Sequence, residues 1–102
     1  MASINGTQIR KVIVACDAGM GSSVMLASQL RKQLSGQGVT VEHTSVHAIP
    51  VDADVIVVHK GLADRARATA PGTVIVPVQV FIGDPAVGAL VAAVKNGTEL
   101  HD

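Results

Sequence analysis

The only cysteine of the chain stands at the start of a glycine-rich turn. Cys16 follows the apolar run 11–15 and opens the stretch Cys-Asp-Ala-Gly-Met-Gly-Ser-Ser, which spans residues 16–23. A thiolate is a strong nucleophile, and consecutive backbone N–H groups in such a turn bind anions such as phosphate. Gly19 and Gly21 allow the backbone to approach a bound ligand closely. The pattern therefore predicts chemistry on an anionic group, with Cys16 as the nucleophile.

The elements that position this turn are those of an α/β fold. Apolar periodicity predicts four strands and three helices in the order β-α-β-β-α-β-α. The strands cover residues 11–16, 39–46, 54–59 and 73–78, two helices cover residues 22–34 and 60–70, and the last helix begins at Pro85. Two strands are apolar throughout, which is typical of a parallel sheet covered on both faces. We expect an open four-stranded parallel sheet in the order 2-1-3-4 with helices on both faces, a Rossmann-like three-layer sandwich.

The composition indicates one small domain with an aliphatic core. The chain has 102 residues, of which 48% are hydrophobic and one is aromatic, and its formal net charge is zero. We expect a single domain over residues 1–102, with loose ends at 1–9 and 97–102. The zero net charge and the single aromatic side chain argue against nucleic-acid binding. No apolar run approaches the ~20 residues of a membrane span, and a single cysteine suits a reducing cytoplasm. His43 and His47 have no partner cysteine, so no metal site is expected.

The first turn occupies the usual ligand position of such a sheet. In open α/β sheets, ligands bind beyond the carboxyl ends of the strands, where the strand order reverses. A helix that begins near Ser22 or Ser23 presents its positive end there, which favours both an anion and a thiolate. Lys60 and Arg65 follow another strand and add positive charge from across the site. The ordinary alternative for Cys16 is a buried, inert thiol.

Other phosphate-binding patterns fit the turn less well but stay open as alternatives. A dinucleotide site needs a third glycine where Val24 stands, although Glu42 lies at the distance of a ribose-binding acid. Cysteine phosphatases and some arsenate reductases contain the pattern Cys-x5-Arg. In this chain Ser22 occupies the position of the arginine. Asp52 and Asp54 could be proposed as their general acid, but these residues precede a strand and should lie at its opposite end. A non-catalytic anion-binding regulatory module is the third alternative.

The turn and its flanking elements resemble the B domain (IIB) of the mannitol-type permeases of the phosphoenolpyruvate-dependent sugar phosphotransferase system. Residues 15–23 match the phosphorylation loop of that family without a break, and the match continues at residues 30–32. A second match covers residues 57–66 and includes His59, Leu62, Arg65 and Ala66. The resemblance covers most of the chain in length and order.

The resemblance implies a phosphotransferase, the IIB component of a protein-Npi-phosphohistidine–sugar phosphotransferase. Cys16 would accept a phosphoryl group from a phosphohistidine on a IIA domain. It would pass the group to a hexitol, mannitol by the name of the family, bound in a membrane-embedded IIC domain. The implied protein is bacterial and cytoplasmic, lies at the inner membrane through its IIC partner without inserting itself, and needs no cofactor.

The resemblance also implies the residues of the phosphate-binding loop. They are Asp17, Ala18, Gly19, Met20, Gly21, Ser22 and Ser23. The absence of an arginine and a general acid fits a carrier, because a carrier must not activate water before its acceptor arrives. His59 and Arg65 are implied as accessory residues. Each also has a structural explanation, as a polar residue at a strand end and as part of a solvated helix face.

Overall fold

A computed structural model describes residues 3–16, 22–79 and 85–101. Within these ranges the chain forms six strands and three α-helices, joined in part by short 3-10 helices. The strands are β1 (Ser3–Asn5), β2 (Lys11–Cys16), β3 (Thr40–Ser45), β4 (Val55–His59), β5 (Val74–Val78) and β6 (Glu99–His101). The α-helices are α1 (Ser22–Gln33), α2 (Ala63–Thr69) and α3 (Pro85–Asn96), and the 3-10 helices are Gly6–Gln8, Val46–Ala48 and Lys60–Leu62.

Four of the strands form a parallel sheet in the order β3-β2-β4-β5. Its register places Cys16 of β2 beside Ser45 of β3, and Ala15 beside Val58 of β4. Counted within this sheet alone, the order is 2-1-3-4, as expected. The strand numbers are each higher by one when the strands are counted along the described chain, because the short strand β1, which was not predicted, precedes the parallel sheet. The α/β fold with a parallel sheet is confirmed.

The sheet divides the aliphatic core into two layers. Successive side chains of a strand point to opposite faces, so each central strand supplies both layers. One layer packs α1 and α3 on the sheet and includes Val12, Val14, Val55, Val57, Leu26, Leu30 and Leu90. The other layer packs α2 on the opposite face and includes Ile13, Ala15, Ile56, Val58, Ile75, Ala63 and Ala66. The continuous apolar runs of β2 and β4 are required because both faces of these strands are buried.

The ends of the helices follow local backbone chemistry. α1 ends at Gln33, and the chain then turns through Gly36 and Gly38, whose φ angles are +84° and +74°. Glycine is favoured there because other residues rarely adopt positive φ. Pro85 is the first residue of α3, where its missing N–H group costs no helical hydrogen bond. Three ends of these two helices were predicted: both ends of α1 and the start of α3. All three agree with the structure to within one residue.

The two ends of the chain pair with each other, which differs from the loose ends that we expected. β1 and β6 form a two-stranded antiparallel sheet in which Ile4 lies opposite Leu100. Both side chains are half-buried and pack against the core layer of α1 and α3. The described parts of residues 1–9 and 97–102 are therefore structured. Strands of three residues carry too little periodicity to be recognised in a sequence.

A close backbone contact holds this terminal sheet against α3. The N–H group of Gly6 donates a hydrogen bond to the carbonyl oxygen of Thr98, with an N···O distance of 2.8 Å. A Cβ atom at Gly6 would overlap the carbonyl oxygen of Ala93 in the last turns of α3. Glycine is needed at position 6 because the chain passes directly over this carbonyl group.

Candidate functional site

Cys16 is the last residue of the central strand β2 and lies at the carboxyl edge of the sheet. On one side β3 ends at Ser45, which is the register partner of Cys16. On the other side β4 ends at His59, one residue beyond the partner of Ala15. The chain then returns to this edge at Ser22, where α1 begins. The fold therefore brings Cys16 to the edge where open α/β sheets bind ligands.

Most of the predicted phosphate-binding loop lies outside the described residues. This part comprises Asp17, Ala18, Gly19, Met20 and Gly21. Ser22 and Ser23 are the first two residues of α1, so they belong to its first turn and do not precede it. The first N–H groups of a helix have no intrahelical acceptor, and they carry the positive end of the helix dipole. The first turn of α1 thus supplies donors for an anion at the edge that Cys16 occupies.

His59 ends β4 and caps the short 3-10 helix that follows. Its Nδ1 atom accepts a hydrogen bond from the N–H group of Gly61, at 3.1 Å. A neutral imidazole that accepts at Nδ1 carries its proton on Nε2. This contact gives His59 a structural role at the edge of the sheet. A role in phosphoryl transfer stays a prediction.

Arg65 lies on the exposed side of α2, on the opposite face of the sheet from α1. Its backbone carbonyl oxygen accepts a hydrogen bond from the Thr69 hydroxyl group at 2.9 Å, as part of the helix. Lys60 is exposed at the start of the preceding 3-10 helix. Both residues follow β4, the neighbour of β2. Lys60 follows β4 directly, at the carboxyl edge of the sheet, and the accessory role of Arg65 stays a prediction.

At the amino end of the sheet, a carboxylate binds the backbone at the start of β2. Asp54 Oδ2 accepts hydrogen bonds from the N–H groups of Arg10, at 2.8 Å, and Lys11, at 3.0 Å. The N–H group of Asp54 in turn donates to the carbonyl oxygen of Lys11, at 2.9 Å. Asp54 immediately precedes β4, so this residue joins the starts of two neighbouring strands.

Lys11 adds ion pairs to the same end of the sheet. Its Nζ atom lies 3.3 Å from Asp52 and 3.6 Å from Glu42. The hydrogen bond that Lys11 donates to Asp52 is the main reason why the pKa of Lys11 is raised above its usual value, while partial desolvation opposes this change. The charges of both carboxylates raise the pKa further. This group forms a compact network on the rim of the sheet.

These positions argue against the acidic residues considered for two of the alternative chemistries. Lys11 and Cys16 are the first and last residues of β2. Five steps of an extended strand separate them by about 16 Å. Asp52 and Asp54 therefore lie at the wrong end to serve as the general acid of a phosphatase, as the sequence predicted. Glu42 lies in the middle of β3 and contacts Lys11, away from the strand end at which a ribose-binding acid would have to lie.

Two apolar side chains in the first turn of α1 are exposed. Val24 and Met25, at the start of α1, are 46% and 59% exposed. Both lie outside the buried stripe of this helix, which consists of Leu26, Ala27, Leu30 and Leu34. The sequence contained this signal, because apolar residues outside the buried stripe of an amphipathic helix are expected on its surface.

The described residues contain neither a cluster of metal-ligating side chains nor a membrane-spanning helix. In residues 3–16, 22–79 and 85–101, no three His, Cys, Asp or Glu side chains converge in an arrangement suited to a metal ion. No helix within these same ranges combines the length and the apolar character needed to cross a membrane.

Comparisons with known proteins agree with these features. A family model described as the PTS system lactose/cellobiose-specific IIB subunit matches residues 11–93. The PTS system mannitol-specific EIICB component of Halalkalibacterium halodurans is 42% identical over 92 residues, which cover 88% of this chain and 20% of that protein. The component of the same name from Bacillus subtilis is 36% identical over 97 residues, with coverages of 93% and 20%.

Two further similarities are to an EIICBA component and to a solved structure. The PTS system mannitol-specific EIICBA component of Buchnera aphidicola is 38% identical over 104 residues, which cover 98% of this chain and 16% of that protein. Among solved structures, the lactose-specific IIB component domain of Streptococcus pneumoniae gives a TM-score of 0.47 at 20% identity, with coverages of 87% and 94%.

The family match begins at the first residue of β2 and ends within α3, so it includes Cys16, the turn and α1. The chain spans about a fifth of the length of the mannitol-specific EIICB relatives. The resemblance drawn from residues 15–23 and 57–66 is thereby confirmed. The chain belongs to the PTS IIB family and is a IIB domain of the mannitol permease type.

Proposed function

We propose that this chain is the phosphocysteine carrier of a sugar phosphotransferase system, and that residues 1–102 act as one IIB domain. The observation that carries the proposal is the position of Cys16, at the end of the central strand and directly before the turn into α1. The expected donor is a phosphohistidine on a IIA domain. The expected acceptor is a hexitol, mannitol by the names of the relatives, bound in a IIC domain.

In the first step, the thiolate sulfur of Cys16 attacks the phosphorus atom of the phosphohistidine. The S–P bond forms as the N–P bond breaks, and the departing imidazole nitrogen takes up a proton. Phosphoryl transfer needs mainly positioning and charge stabilisation. We assign the three phosphoryl oxygens to the backbone N–H groups of residues 17–23, at the positive end of α1.

In the second step, a hydroxyl oxygen of the sugar attacks the phosphorus atom of phosphocysteine. The O–P bond forms, the S–P bond breaks, and the thiolate of Cys16 is regenerated. The hydroxyl proton passes to a base of the IIC domain. A IIC partner would hold this cytoplasmic domain at the membrane, and the C and B in the names of the relatives support that arrangement.

The surroundings of Cys16 suit a carrier better than a hydrolase. A hydrolase needs an acid or base that activates water, and two of the described aspartates, Asp52 and Asp54, lie at the far end of the sheet. Asp64, in the first turn of α2, lies 3.7 Å from Arg67. Asp52 and Asp54 are therefore not placed to activate water at phosphocysteine, which favours a carrier.

The test is to incubate the chain with a histidine-phosphorylated A domain of a mannitol-type permease and to locate the phosphoryl group by mass spectrometry. We expect one phosphoryl group on Cys16 and a loss of at least about 10³-fold in the labelling rate of Cys16→Ser, because an alcohol is a much poorer nucleophile than a thiolate. Vesicles that carry a mannitol C domain should then convert added mannitol to its phosphate.

Two results would contradict the proposal. One is labelling that persists in Cys16→Ser, which would place the phosphoryl group on another residue. The other is rapid release of inorganic phosphate from the labelled chain without any sugar, which would indicate a hydrolase. Far-UV circular dichroism of Cys16→Ser serves as the folding control.

A further inference from the structure

We infer that the hydroxyl group of Ser45 donates a hydrogen bond to the phosphoryl group that Cys16 carries. Ser45 is the last residue of β3 and the register partner of Cys16 at the carboxyl edge of the sheet. The inference rests on the proposed function, because it assumes that Cys16 becomes phosphorylated. It adds a residue outside the turn 17–23 and assigns it to one state of the reaction, the phosphocysteine intermediate.

The strand register brings positions 16 and 45 to the same face of the sheet. Residues alternate between the two faces along a strand, and Val12 of β2 and Val41 of β3 both belong to the core layer of α1 and α3. Cys16 and Ser45 each follow one of these valines by four residues, so both positions belong to that face. Neighbouring strands lie about 4.8 Å apart, so a hydroxyl group at position 45 can reach a phosphoryl group at position 16.

The hydroxyl group of Ser45 has no hydrogen-bond partner in the described part of the chain. Ser45 occupies the N-cap position of the 3-10 helix Val46–Ala48, where a serine side chain commonly accepts a bond from the backbone, yet it forms none. The N-cap residues of the other two described 3-10 helices, Asn5 and His59, both accept a hydrogen bond from a backbone N–H group. The Ser45 hydroxyl group is therefore available to a ligand at this edge.

Burial around Ser45 fixes the position of this hydroxyl group. Ser45 is half-buried, and the next residue, Val46, is fully buried in the core layer of α2. The backbone of Ser45 is therefore held by β2 beside it and by a buried side chain after it. A donor that is already held in place loses little conformational entropy when it binds.

A serine hydroxyl group suits the phosphocysteine state of a carrier. It donates its hydrogen atom to a phosphoryl oxygen, and such a bond to a charged acceptor is about twice as strong as one between neutral groups. The sulfur atom of a free thiol is only a weak acceptor. The hydrogen bond should therefore favour the phosphorylated chain over the free chain and shift the equilibrium of transfer from the donor toward Cys16.

The experiment measures the equilibrium constant of phosphoryl transfer between this chain and a fixed amount of a histidine-phosphorylated A domain of a mannitol-type permease. Mass spectrometry of the intact proteins gives the phosphorylated fraction of each. Ser45→Thr and Ser45→Val form a matched pair, because threonine and valine have nearly the same shape and only threonine carries a hydroxyl group.

The hydroxyl group should separate the two variants. The equilibrium constant should stay within about threefold of the wild type for Ser45→Thr and fall about tenfold for Ser45→Val, because a hydrogen bond to a charged group is lost. Thr40→Val, an exposed position at the other end of β3, is the control and should leave the constant unchanged. Far-UV circular dichroism checks the folding of each variant.

The outcomes separate this inference from the proposed function. Equal equilibrium constants for Ser45→Thr and Ser45→Val overturn the inference, while labelling of Cys16 in both variants leaves the proposed function standing. If the constants are equal but iodoacetamide alkylates unphosphorylated Cys16 more slowly in Ser45→Val, the inference is also overturned and the hydroxyl group is assigned to the thiolate. If the wild type accepts no phosphate, the proposed function fails and the inference fails with it. If Ser45→Val unfolds, Ser45→Ala replaces it, with the same expected loss of about tenfold.

Discussion

The two ends of the parallel sheet use their polar residues in different ways. At the amino end, Asp54 binds two backbone N–H groups and Lys11 lies between two carboxylates. At the carboxyl end, Cys16 ends the central strand, and Lys60 and Arg65 form no ion pair with a described residue. The polar groups of the amino end are occupied in holding strands together, whereas the charges of Lys60 and Arg65 are not paired with any described residue.

The length of β2 keeps these two tasks apart. About 16 Å of extended strand separates Lys11 from Cys16, and exposed charges are largely screened beyond about 8 Å at physiological salt. Changes at the amino end should therefore alter the free energy of unfolding without altering phosphoryl transfer. Any variant of the amino end that slows transfer while remaining folded would break this comparison.

The largest expected loss of stability comes from Gly6→Ala. The new methyl group would overlap the carbonyl oxygen of Ala93, so the terminal sheet must shift and the hydrogen bond from Gly6 to Thr98 is weakened. We expect the free energy of unfolding to fall by about 3 kcal/mol, the upper range for forced overpacking. Urea unfolding measures this change, and labelling of Cys16 at low temperature should equal that of the wild type.

Gly88→Ala is the matched control for this change. Gly88 lies inside α3, and a Cβ atom there would meet no other atom within 4 Å. Alanine is favoured over glycine inside a helix by about 0.8–1 kcal/mol, so Gly88→Ala should stabilise the chain. If both alanine variants lost stability equally, close contact at Gly6 would not be the cause of the first effect.

An intermediate loss is expected for Asp54→Ala. The change removes the acceptor of two backbone hydrogen bonds at the start of β2. Leaving such groups without a partner should cost about 2 kcal/mol. A loss of that size lowers the melting temperature of a domain of this length by roughly 10 °C, which differential scanning calorimetry resolves.

Asp54→Asn separates the hydrogen bonds from the charge. An amide oxygen can replace Oδ2 as the acceptor, so Asn should recover more than half of the stability that Ala loses. Both variants should accept phosphate at Cys16 at the wild-type rate when they are assayed about 20 °C below their melting temperatures, where they are folded. Slower labelling in folded Asp54→Ala would show that the two ends of the sheet are coupled.

The carboxyl end was largely predictable from the sequence because its signals are local. The apolar run before Cys16 and the helical stripe after Ser23 locate a strand and a helix, and any parallel sheet places the turn between them at its carboxyl edge. The predicted strand 11–16 and the start of α1 at Ser22 agree with the structure. The contact between His59 and Gly61 was not predicted, although a polar residue was expected at the strand end.

The amino end was much less predictable because its contacts join residues that are distant in the sequence. Asp54 binds the N–H group of Arg10, 44 positions away, and β1 pairs with β6 from the other end of the chain. Such contacts depend on sheet register and on the close approach allowed by Gly6. Neither has a periodic signature, so residues 1–9 and 97–102 were expected to be loose.

The smallest expected effect is a pH dependence of stability at Lys11. The pKa of Lys11 is raised in the folded chain, chiefly by its hydrogen bond to Asp52, so folding favours the charged form. The resulting stability is present at neutral pH and is lost as the pH rises from the unfolded pKa of about 10.4 through the higher folded value. Because Asp52 is solvent-exposed and Lys11 is only half-buried, the loss should be smaller than that caused by Asp54→Ala, and added salt should reduce it. Melting temperatures of the wild type and Asp52→Asn between pH 8 and about 11 should converge at the alkaline end. Curves that stay parallel would mean that this ion pair adds nothing to the stability of the amino end.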